Sequence, residues 1–547
     1  MKNFMNKKII IAFALPLMFT GCYRDEGNYD YHDINQIEVD GIDDNYSVDV
    51  DDSLIIKPTL KGTLYSDTAR FSYSWEIGPQ EIAKTHDLHM QMNLTPGFKY
   101  SRFIITDKET NVKTYKVFGV NVSSSTAGDL IVVLSKYQGR AEMSYLRLDK
   151  PANWAVNYFQ SRTGQMLGKN PQQLCVLYSY SGSRQDNMPF VNRYGRVIAL
   201  VDNVGHLIDK TTMMPDTVAQ TLTQDAYLGL VSYPKPDISG YKSEFFSEGI
   251  ALWRQNVYGT QMYGDFMEIS NGHIFGVASM APSIWTHSFF YDIASPYANG
   301  YLSPFGYWND MTDTPNQAGY SLGRFVVFDR VNGRFASCSD YGSMRPIAEE
   351  NVRVFPGYTM IWGSATNRPN TTSIAVLSDG TSCRLVLLEG VAGIAAEIGG
   401  GSVVKPTSKF YMMKYNDNLF FSSGNAIYRY NIMDIGSGMQ PSDRNKIVDL
   451  MQLGYDGNAK ITDICVSRTE KTMLVGVSRY GDDGEALGDE PKGDLLYFDI
   501  DSGSGTLTYN AEKSHKGISG IPVDVEIKYQ THYRNGLDLS GNLKDNI

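Results

Sequence analysis

The feature that most constrains this fold is a hairpin signal that recurs through residues 128–547. Asn-Gly or Asp-Gly pairs at 271–272, 332–333 and 379–380 each separate two short apolar runs, and such pairs supply the positive φ angles of a two-residue β-hairpin. Further turn signals lie near residues 138, 203, 424 and 469. Helical periodicity is almost absent between them, so the pattern predicts an all-β domain.

The spacing of these seven turns indicates a repeated β-sheet architecture. Successive turn centres lie between 45 residues (424 to 469) and 68 residues (203 to 271) apart. Repeats of this length are typical of four-stranded propeller blades. Residues 128–547 are therefore predicted to form a β-propeller of about seven blades, with six or eight as alternatives because the spacing drifts. A stack of β-sandwiches is the other arrangement with similar turn counts. The C-terminal strand is expected to pair with the first blade and close the ring.

The first 21 residues predict export from the cytoplasm. Three lysines within the first eight residues precede an apolar run at 9–19. This run is shorter than the roughly 20 residues that a membrane-spanning helix needs, and it is typical of a secretion signal. Its Phe-Thr-Gly-Cys end resembles a bacterial lipobox, which implies a lipidated Cys22 as the first mature residue. An ordinary secretion signal followed by an incidental cysteine is the alternative.

Residues 22–36 are predicted to be an acidic linker between the anchor and the first domain. Asp25 and Glu26 follow Cys22 closely, and this short acidic stretch resembles the signal that sends lipoproteins of Bacteroidetes to the outer face of the outer membrane. A solvated linker without a sorting role is the alternative. The whole chain has 49 basic and 60 acidic residues, a net charge of −11. That balance excludes the nucleic-acid-binding class, which needs a cationic surface.

Residues 37–124 are predicted to form a small β-sandwich. The run at 73–78 places Trp75 in the middle of a strand, where it is expected to pack between two sheets. Together with the strand-like runs at 104–107 and 116–122, this segment resembles a PKD-like domain. The Gly-Asn-Tyr-Asp-Tyr opening at 27–31 is similar to the start of the PKD-like lipoprotein family of Bacteroidetes. Polar, small residues at 123–127 predict the domain boundary.

The sequence offers little support for a metal or another cofactor. Cys175, Cys338, Cys383 and Cys465 are widely spaced and form no CxxC pair, which excludes a zinc ribbon or a redox motif. They are predicted to be buried thiols, with a disulfide as the alternative in an oxidising compartment. No cofactor is predicted. Calcium at the acidic stretches 23–60 and 482–490 is the weaker alternative to solvated surfaces.

Aromatic residues in polar, loop-like stretches are the predicted cargo-binding residues. Rigid amphipathic rings suit stacking on sugars or gripping peptides, because they bury area at little entropic cost. Residues 283–320 are expected to form a long loop over one propeller face. Packing of the rings between blades is the alternative. The predicted residues are Trp154, Tyr158, Trp285, Tyr307 and Trp308.

The anchor, the PKD-like module and the β-rich remainder together resemble surface lipoproteins that accompany SusC/SusD-type importers. The resemblance implies an outer-membrane accessory lipoprotein facing the cell exterior. Such a protein would bind oligopeptide or glycan cargo, dock to the transporter, or do both, without catalysis. The alternative is a propeller-type hydrolase or lyase acting on glycan or peptide at the cell surface. The GxSxG match around Ser321 precedes a strand-like run instead of a helix, so no catalytic residue is predicted.

Overall fold

The computed structural model divides into two compact units, Met1–Ser125 and Thr126–Ile547. Within the described residues it is almost entirely β-structure. The described residues are 34–50, 52–124, 126, 128–151, 153–177, 196–215, 240, 242–247, 250–256, 259–281, 284–288, 301–308, 325–338, 344–346, 353–366, 372–389, 393–480 and 491–529.

The first unit is a β-sandwich. Strands β2, β9, β8, β5 and β6 form a five-stranded sheet in that order, and two strand pairs, β1–β4 and β3–β7, lie beside it. Strands β2 and β9 are parallel, whereas the other pairs are antiparallel. The strands are β1 (Ile37–Asp40), β2 (Asn45–Asp49), β3 (Ser53–Ile56), β4 (Thr59–Gly62), β5 (Phe71–Ile77), β6 (Gln80–Ala83), β7 (Leu88–Gln91), β8 (Gly97–Asp107) and β9 (Lys113–Ser123).

Trp75 is at the centre of this sandwich, as its mid-strand position predicts. The indole ring is fully buried and stacks on Phe103 with ring centroids 4.1 Å apart. Its Nε1–H donates a 2.9 Å hydrogen bond to the Thr85 carbonyl, so the one polar atom of the ring is satisfied inside the core. Leu54 and Leu88 from the small strand pair belong to the same hydrophobic cluster. The core therefore joins the two layers.

The described residues of the second unit form seven sheets. Each neighbouring pair of strands within a sheet is antiparallel, and the sheets follow one another along the chain as propeller blades. The strands of the first four sheets are β10 (Leu130–Tyr137), β11 (Arg140–Arg147) and β12 (Trp154–Ala155); β13 (Pro171–Leu177), β14 (Arg196–Val201) and β15 (Val204–Asp209); β16 (Ser243–Phe246), β17 (Ile250–Asn256), β18 (Gly259–Ser270), β19 (His273–Ala281) and β20 (Ile284–Ser288); and β21 (Tyr307–Trp308), β22 (Phe325–Asp329), β23 (Arg334–Cys338) and β24 (Met344–Pro346).

The last three sheets are regular four-stranded blades. They contain β25 (Thr359–Ala365), β26 (Thr372–Ser378), β27 (Cys383–Glu389) and β28 (Gly393–Gly399); β29 (Phe410–Met412), β30 (Asn418–Ser423), β31 (Ala426–Asn431) and β32 (Lys446–Asp449); and β33 (Lys460–Val466), β34 (Thr472–Ser478), β35 (Gly493–Asp501) and β36 (Thr506–Ser519). The final strand is β37 (Ile521–Lys528), and the short helices are α1 (Tyr158–Thr163), α2 (Asp434–Ser437) and the 3-10 turns Thr68–Arg70, Asp443–Asn445 and Leu450–Leu453.

Strand β37 closes the ring. It pairs with β10 of the first sheet and also contacts β33 of the last sheet and β13 of the second. The first strands of successive blades contact one another in the same way, for example β25 with β29 and β29 with β33. These innermost strands therefore line the centre of the ring. The predicted pairing of the C-terminal segment with the first blade is confirmed, and the closed arrangement leaves few sheet edges unprotected.

The turn at Asn271–Gly272 has the predicted two-residue form. Strand β18 ends with Ser270 paired to His273 of β19, and Asn271 and Gly272 have φ angles of 47° and 74°. A residue with a side chain rarely adopts such angles, which is why asparagine and glycine occur there.

The other two Asn-Gly and Asp-Gly turns are longer than predicted. Strands β26 and β27 pair from Ser378 to Cys383, which leaves four connecting residues. Asp379 Oδ1 accepts the backbone N–H groups of Thr381 at 2.8 Å and Ser382 at 2.7 Å. The carboxylate takes the place of a backbone acceptor and favours the wider turn. The turn after Asp329 has the same length and the same side-chain contacts.

Candidate functional site

Two of the predicted cargo-binding tyrosines are buried in the second unit. Tyr158 is 3% exposed, and its hydroxyl donates a 3.0 Å hydrogen bond to the Met213 carbonyl. Tyr307 is 6% exposed, and its hydroxyl shares a 3.0 Å hydrogen bond with that of Ser373. Burial raises the pKa of both tyrosines. Both rings belong to hydrophobic clusters, which is the packing role that the sequence left as the alternative.

Trp154 is half-buried at the junction of the first and last blades. Its ring meets the His515 ring edge-on, with centroids 5.6 Å apart, and burial lowers the pKa of this histidine. Among the described residues, no group accepts the buried Nε1–H of Trp154. Trp285 lies in β20 and Trp308 in β21, but their side chains are outside the described residues. The cargo-binding role of these three tryptophans stays a prediction.

The long loop expected at 283–320 contains short strands in the parts that the structure describes, 284–288 and 301–308. Strand β20 (Ile284–Ser288) pairs with β19, and β21 (Tyr307–Trp308) pairs with β22. Pairing depends on backbone groups, so the many Tyr, Trp, Asn and Gly residues of this segment do not prevent short strands at blade edges. Residues 289–300 and 309–320 lie outside the described part of the chain.

The most exposed aromatic surface among the described residues lies on the first unit, where the sequence predicts no site. We call it the aromatic face, and it consists of Phe98 and Tyr100 on β8 with Tyr115 and Val117 on β9. These side chains are 51%, 79%, 51% and 62% exposed, respectively. Contiguous apolar surface of this kind is uncommon on a soluble domain and often marks a binding site.

Strand alternation creates the aromatic face. On β8, the exposed residues Phe98, Tyr100 and Arg102 alternate with residues that point towards the core, such as Ser101 and Phe103, because successive side chains of a strand point to opposite sides. The β9 partners of the exposed positions point to the same side, since directly paired residues share a face. In this register, Tyr100 lies opposite Gly119, Arg102 opposite Val117 and Ile104 opposite Tyr115.

Phe98 is held in place by its neighbours. Its ring meets the Tyr100 ring edge-on, with centroids 5.1 Å apart and an interplanar angle of 86°. The ring also covers Gly119, where an added Cβ would lie 2.6 Å from the ring and closer still to Asn45 Oδ1. Glycine is therefore required for the ring to lie flat on the sheet. These contacts restrict the Phe98 ring before any ligand binds, which lowers the entropic cost of binding there.

Charged and polar groups surround these rings. The Arg102 guanidinium lies 5.8 Å from the centroid of the Tyr115 ring and forms an ion pair with Glu76. The pKa of Arg102 is raised, first by its hydrogen bond to Glu76. Further exposed hydroxyl and amide groups lie on the same side of the sheet, namely those of Asn45, Ser47, Ser72 and Asn121. The site combines aromatic planes with hydrogen-bonding groups at its margins.

A carboxyl pair lies at the centre of the ring, where β33 and β37 meet. Asp463 Oδ2 accepts the Val525 backbone N–H at 2.8 Å, and Asp524 Oδ2 accepts that of Leu174 at 2.7 Å. The Lys409 ammonium lies 3.7 Å from Asp463 Oδ1. Burial, followed by the charge of Asp463, raises the pKa of Asp524 well above its usual range. Asp524 therefore retains its proton to a higher pH than an exposed aspartate does.

This carboxyl pair does not have the geometry of a glycosidase. Its members hydrogen-bond to each other, whereas glycosidase carboxyl groups are about 5–10 Å apart. Each carboxylate of the pair instead accepts a backbone N–H from the innermost strand of the next blade. Gln173 bonds to both backbone groups of Phe246 at the following blade junction. The arrangement joins neighbouring blades around the ring centre.

Several other sequence predictions fall on residues that the structure does not describe. Cys22 and Ser321 are among them. Cys175 and Cys383 are buried thiols, and Cys465 is a half-buried thiol. In the described ranges, no group of three or more His, Cys, Asp or Glu side chains is arranged to hold a metal ion. No helix within those ranges is long and apolar enough to cross a membrane.

Comparison with protein families finds a match in the N-terminal part of the chain. Residues 22–171 match the model of the PKD-like family. The match confirms the PKD-like resemblance of the first unit and extends to the start of β13. It begins at Cys22, the predicted lipidation site. No curated protein matches this chain in sequence.

Solved structures of Bacteroides proteins show weak similarity over most of the chain. A quinoprotein alcohol dehydrogenase-like protein from Bacteroides thetaiotaomicron is 12% identical, with 89% of this chain and 97% of that chain covered and a TM-score of 0.38. An auxiliary nutrient binding protein from Bacteroides ovatus is 8% identical, with coverage of 78% and 92% and a TM-score of 0.29. One from Bacteroides thetaiotaomicron is 6% identical, with coverage of 80% and 93% and a TM-score of 0.30. At these TM-scores, none of the similarities carries a functional assignment.

Proposed function

We propose that this protein is a cell-surface accessory lipoprotein of a SusC/SusD-type nutrient uptake system. Lipid on Cys22 anchors it to the outer membrane, and its aromatic face binds glycan or peptide cargo. The observation that carries this proposal is the exposed cluster of Phe98, Tyr100, Tyr115 and Val117 on a family-matched unit that follows a predicted export signal. Stable anchoring takes more than a single short acyl chain, and the several acyl chains of a bacterial lipoprotein meet this need.

The placement of the aromatic face supports a binding role. An apolar surface left exposed gives the isolated domain no stability, whereas its burial by a ligand contributes about 25 cal/mol per Å² of apolar area. The Phe98 ring packs over Gly119, and the Arg102 guanidinium lies beside the Tyr115 ring. A surface with its rings arranged in this way suits reversible capture of cargo.

The anchoring part is tested by labelling cells with a palmitate analogue. We expect label on the wild-type chain and none on the Cys22→Ala variant, and protease treatment of intact cells should remove the wild-type protein. Cys383→Ala is the matched control, because that thiol is buried and distant in sequence from the signal. An unlabelled wild-type protein, or one that protease cannot reach, would contradict the proposal.

The uptake part is tested by purifying the tagged chain from detergent-solubilised outer membranes. We expect a SusC/SusD-type transporter pair to co-purify and the pure chain to bind a glycan or a peptide. If neither transporter co-purification nor cargo binding is observed, the proposed function is refuted. Retention of cargo binding without the transporter would limit the protein to independent capture.

A further inference from the structure

We infer that the cargo of the aromatic face is a polysaccharide, bound by stacking of sugar rings on Tyr100 and Tyr115. This inference rests on the proposed cargo-binding function and specifies its ligand class. It follows from the position of the face in the sheet, from its length and from the groups at its margins.

The position of the face disfavours peptide capture through the backbone. Extended peptides bind at a sheet edge, where free N–H and C=O groups pair with the added strand. Strands β8 and β9 are interior strands, with β8 paired to β5 and β9, and β9 paired to β8 and β2. Their backbone groups are already used by the sheet. A ligand on this face meets side chains, so recognition depends on ring surfaces and on the polar groups beside them.

The length of the face fits an extended chain of sugars. Tyr115 lies opposite Ile104, six residues along β8 from Phe98, which corresponds to about 20 Å at a rise of about 3.4 Å per residue. Several pyranose rings fit along this distance. Phe98 and Tyr100 provide aromatic surface at one end and Tyr115 at the other. A linear polysaccharide can contact both ends at once, and such divalent contact increases affinity.

The margins of the face offer partners for sugar hydroxyls. Arg102 supplies donors between the two aromatic ends, and Glu76 beside it supplies acceptors. The exposed groups of Asn45, Ser47 and Asn121 lie near Phe98 along β2 and β9. Aromatic planes flanked by carboxylate, guanidinium, amide and hydroxyl groups match the alternating apolar and hydroxylated surfaces of a pyranose. The charges of Arg102 and Glu76 balance each other.

The experiment measures binding of the full chain, purified in detergent, to a soluble β-glucan, a xylan and an α-mannan, and in parallel to a tryptic digest of casein. We expect at least one polysaccharide to bind. Tyr100→Ala and Tyr115→Ala should each weaken that binding, and the double variant should lose about tenfold or more in affinity. Tyr100→Phe keeps the ring and should bind nearly as well as the wild type.

Tyr301→Ala is the matched control, because Tyr301 is 45% exposed and belongs to the second unit. It should leave binding unchanged. Thermal unfolding of all variants checks that their folding is intact, which exposed positions should preserve.

Three outcomes would overturn the inference. Polysaccharide binding that survives in the double tyrosine variant would place the glycan site elsewhere. Binding of peptides alone, lost in the same variant, would leave the proposed cargo-binding function intact and refute the glycan assignment. Self-association that depends on Tyr100, seen by sedimentation without ligand binding, would make the face a dimer contact and would count against both.

Discussion

The side-chain ammonium of Lys528 donates a 3.0 Å hydrogen bond to the backbone carbonyl of Thr126, 402 residues earlier in the chain. The same ammonium donates to the Lys210 carbonyl at 2.8 Å. Lys528 is only 2% exposed and is the last residue of the closing strand β37. The two bonds therefore join the closing strand both to the segment that enters the ring and to the residue that follows β15 of the second sheet.

Replacing Lys528 with methionine should destabilise the second unit. The substitution removes the donor to both carbonyls and retains most of the apolar volume, so we expect a loss of about 1–3 kcal/mol in the free energy of unfolding. Urea unfolding detects this loss of stability as a lower urea concentration at the unfolding midpoint. Lys513→Met on the exposed side of β36 is the control and should change the midpoint little. Equal midpoints for the two variants would show that Lys528 does not secure the ring.

Replacing Asp524 with asparagine should remove a pH dependence of stability. The pKa of Asp524 is raised in the folded state by burial and by Asp463, so the folded state binds more protons than the unfolded state between the two pKa values. The contribution of Asp524 is therefore fully present below its unfolded pKa and is lost as pH rises through its folded pKa. An asparagine side chain at this position resembles the protonated acid, because its oxygen still accepts the Leu174 N–H and its amide donates to Asp463.

We expect the Asp524→Asn variant to gain stability over the wild type as pH rises from about 4 to 8. The measurement is the difference in melting temperature between the two proteins at each pH. The control is Asp456→Asn, at an exposed carboxylate of the same unit, and it should show no such trend. A constant difference across the range would mean that Asp524 ionises normally.

Replacing Gly119 with alanine should weaken cargo binding more than it affects stability. The added Cβ would lie 2.6 Å from the Phe98 ring and closer still to Asn45 Oδ1, and these two exposed side chains can move aside at a cost of about 1 kcal/mol. Movement of the Phe98 ring disrupts the aromatic face. Gly457→Ala is the matched control, because nothing lies within 4 Å of its Cβ position. Affinity and melting temperature are measured for both, and unchanged affinity in Gly119→Ala would argue against the site.

Replacing Tyr158 with phenylalanine should lower stability and leave cargo binding unchanged, the opposite of the effect expected for Gly119→Ala. The variant loses the buried hydrogen bond to the Met213 carbonyl, which is worth about 1 kcal/mol of stability. Cargo affinity should stay at the wild-type value, because the ring is in the core. Calorimetry and a binding assay on the same preparation measure both quantities. Weaker cargo binding at unchanged stability would indicate that Tyr158 contacts the cargo, as the sequence predicted.

Local turn chemistry explains which parts of the fold were predictable. The Asn271–Gly272 pair forms the predicted two-residue hairpin, because both residues tolerate the positive φ angles that this turn requires. Turn length at Asp379 was less predictable, since it also depends on the hydrogen bonds that the Asp379 carboxylate accepts from Thr381 and Ser382. Each of the seven predicted turns lies in a different sheet. Counted outward from the ring centre, the turn near 469 joins the first and second strands of its blade, whereas the other six turns join the second and third.

The aromatic face has a signal in the sequence that points to a strand face but not to a site. Phe98 and Tyr100 occupy alternate positions, as do Tyr115 and Val117, and all four are apolar or aromatic. Alternation of this kind indicates one face of a strand, but it does not say whether that face is buried or exposed. The prediction favoured aromatic residues in polar stretches, and two of those, Tyr158 and Tyr307, are buried instead.

By itself, the sequence determined the alternation of strands and turns, because turns depend on neighbouring residues. It also determined the core position of Trp75, because this depends on a single large apolar side chain. Only the tertiary structure decided that Asp463 and Asp524 meet and that Tyr100 is exposed whereas Tyr158 is not. These outcomes depend on contacts between distant residues. Burial and long-range pairing follow from how whole sheets pack, which no local pattern specifies.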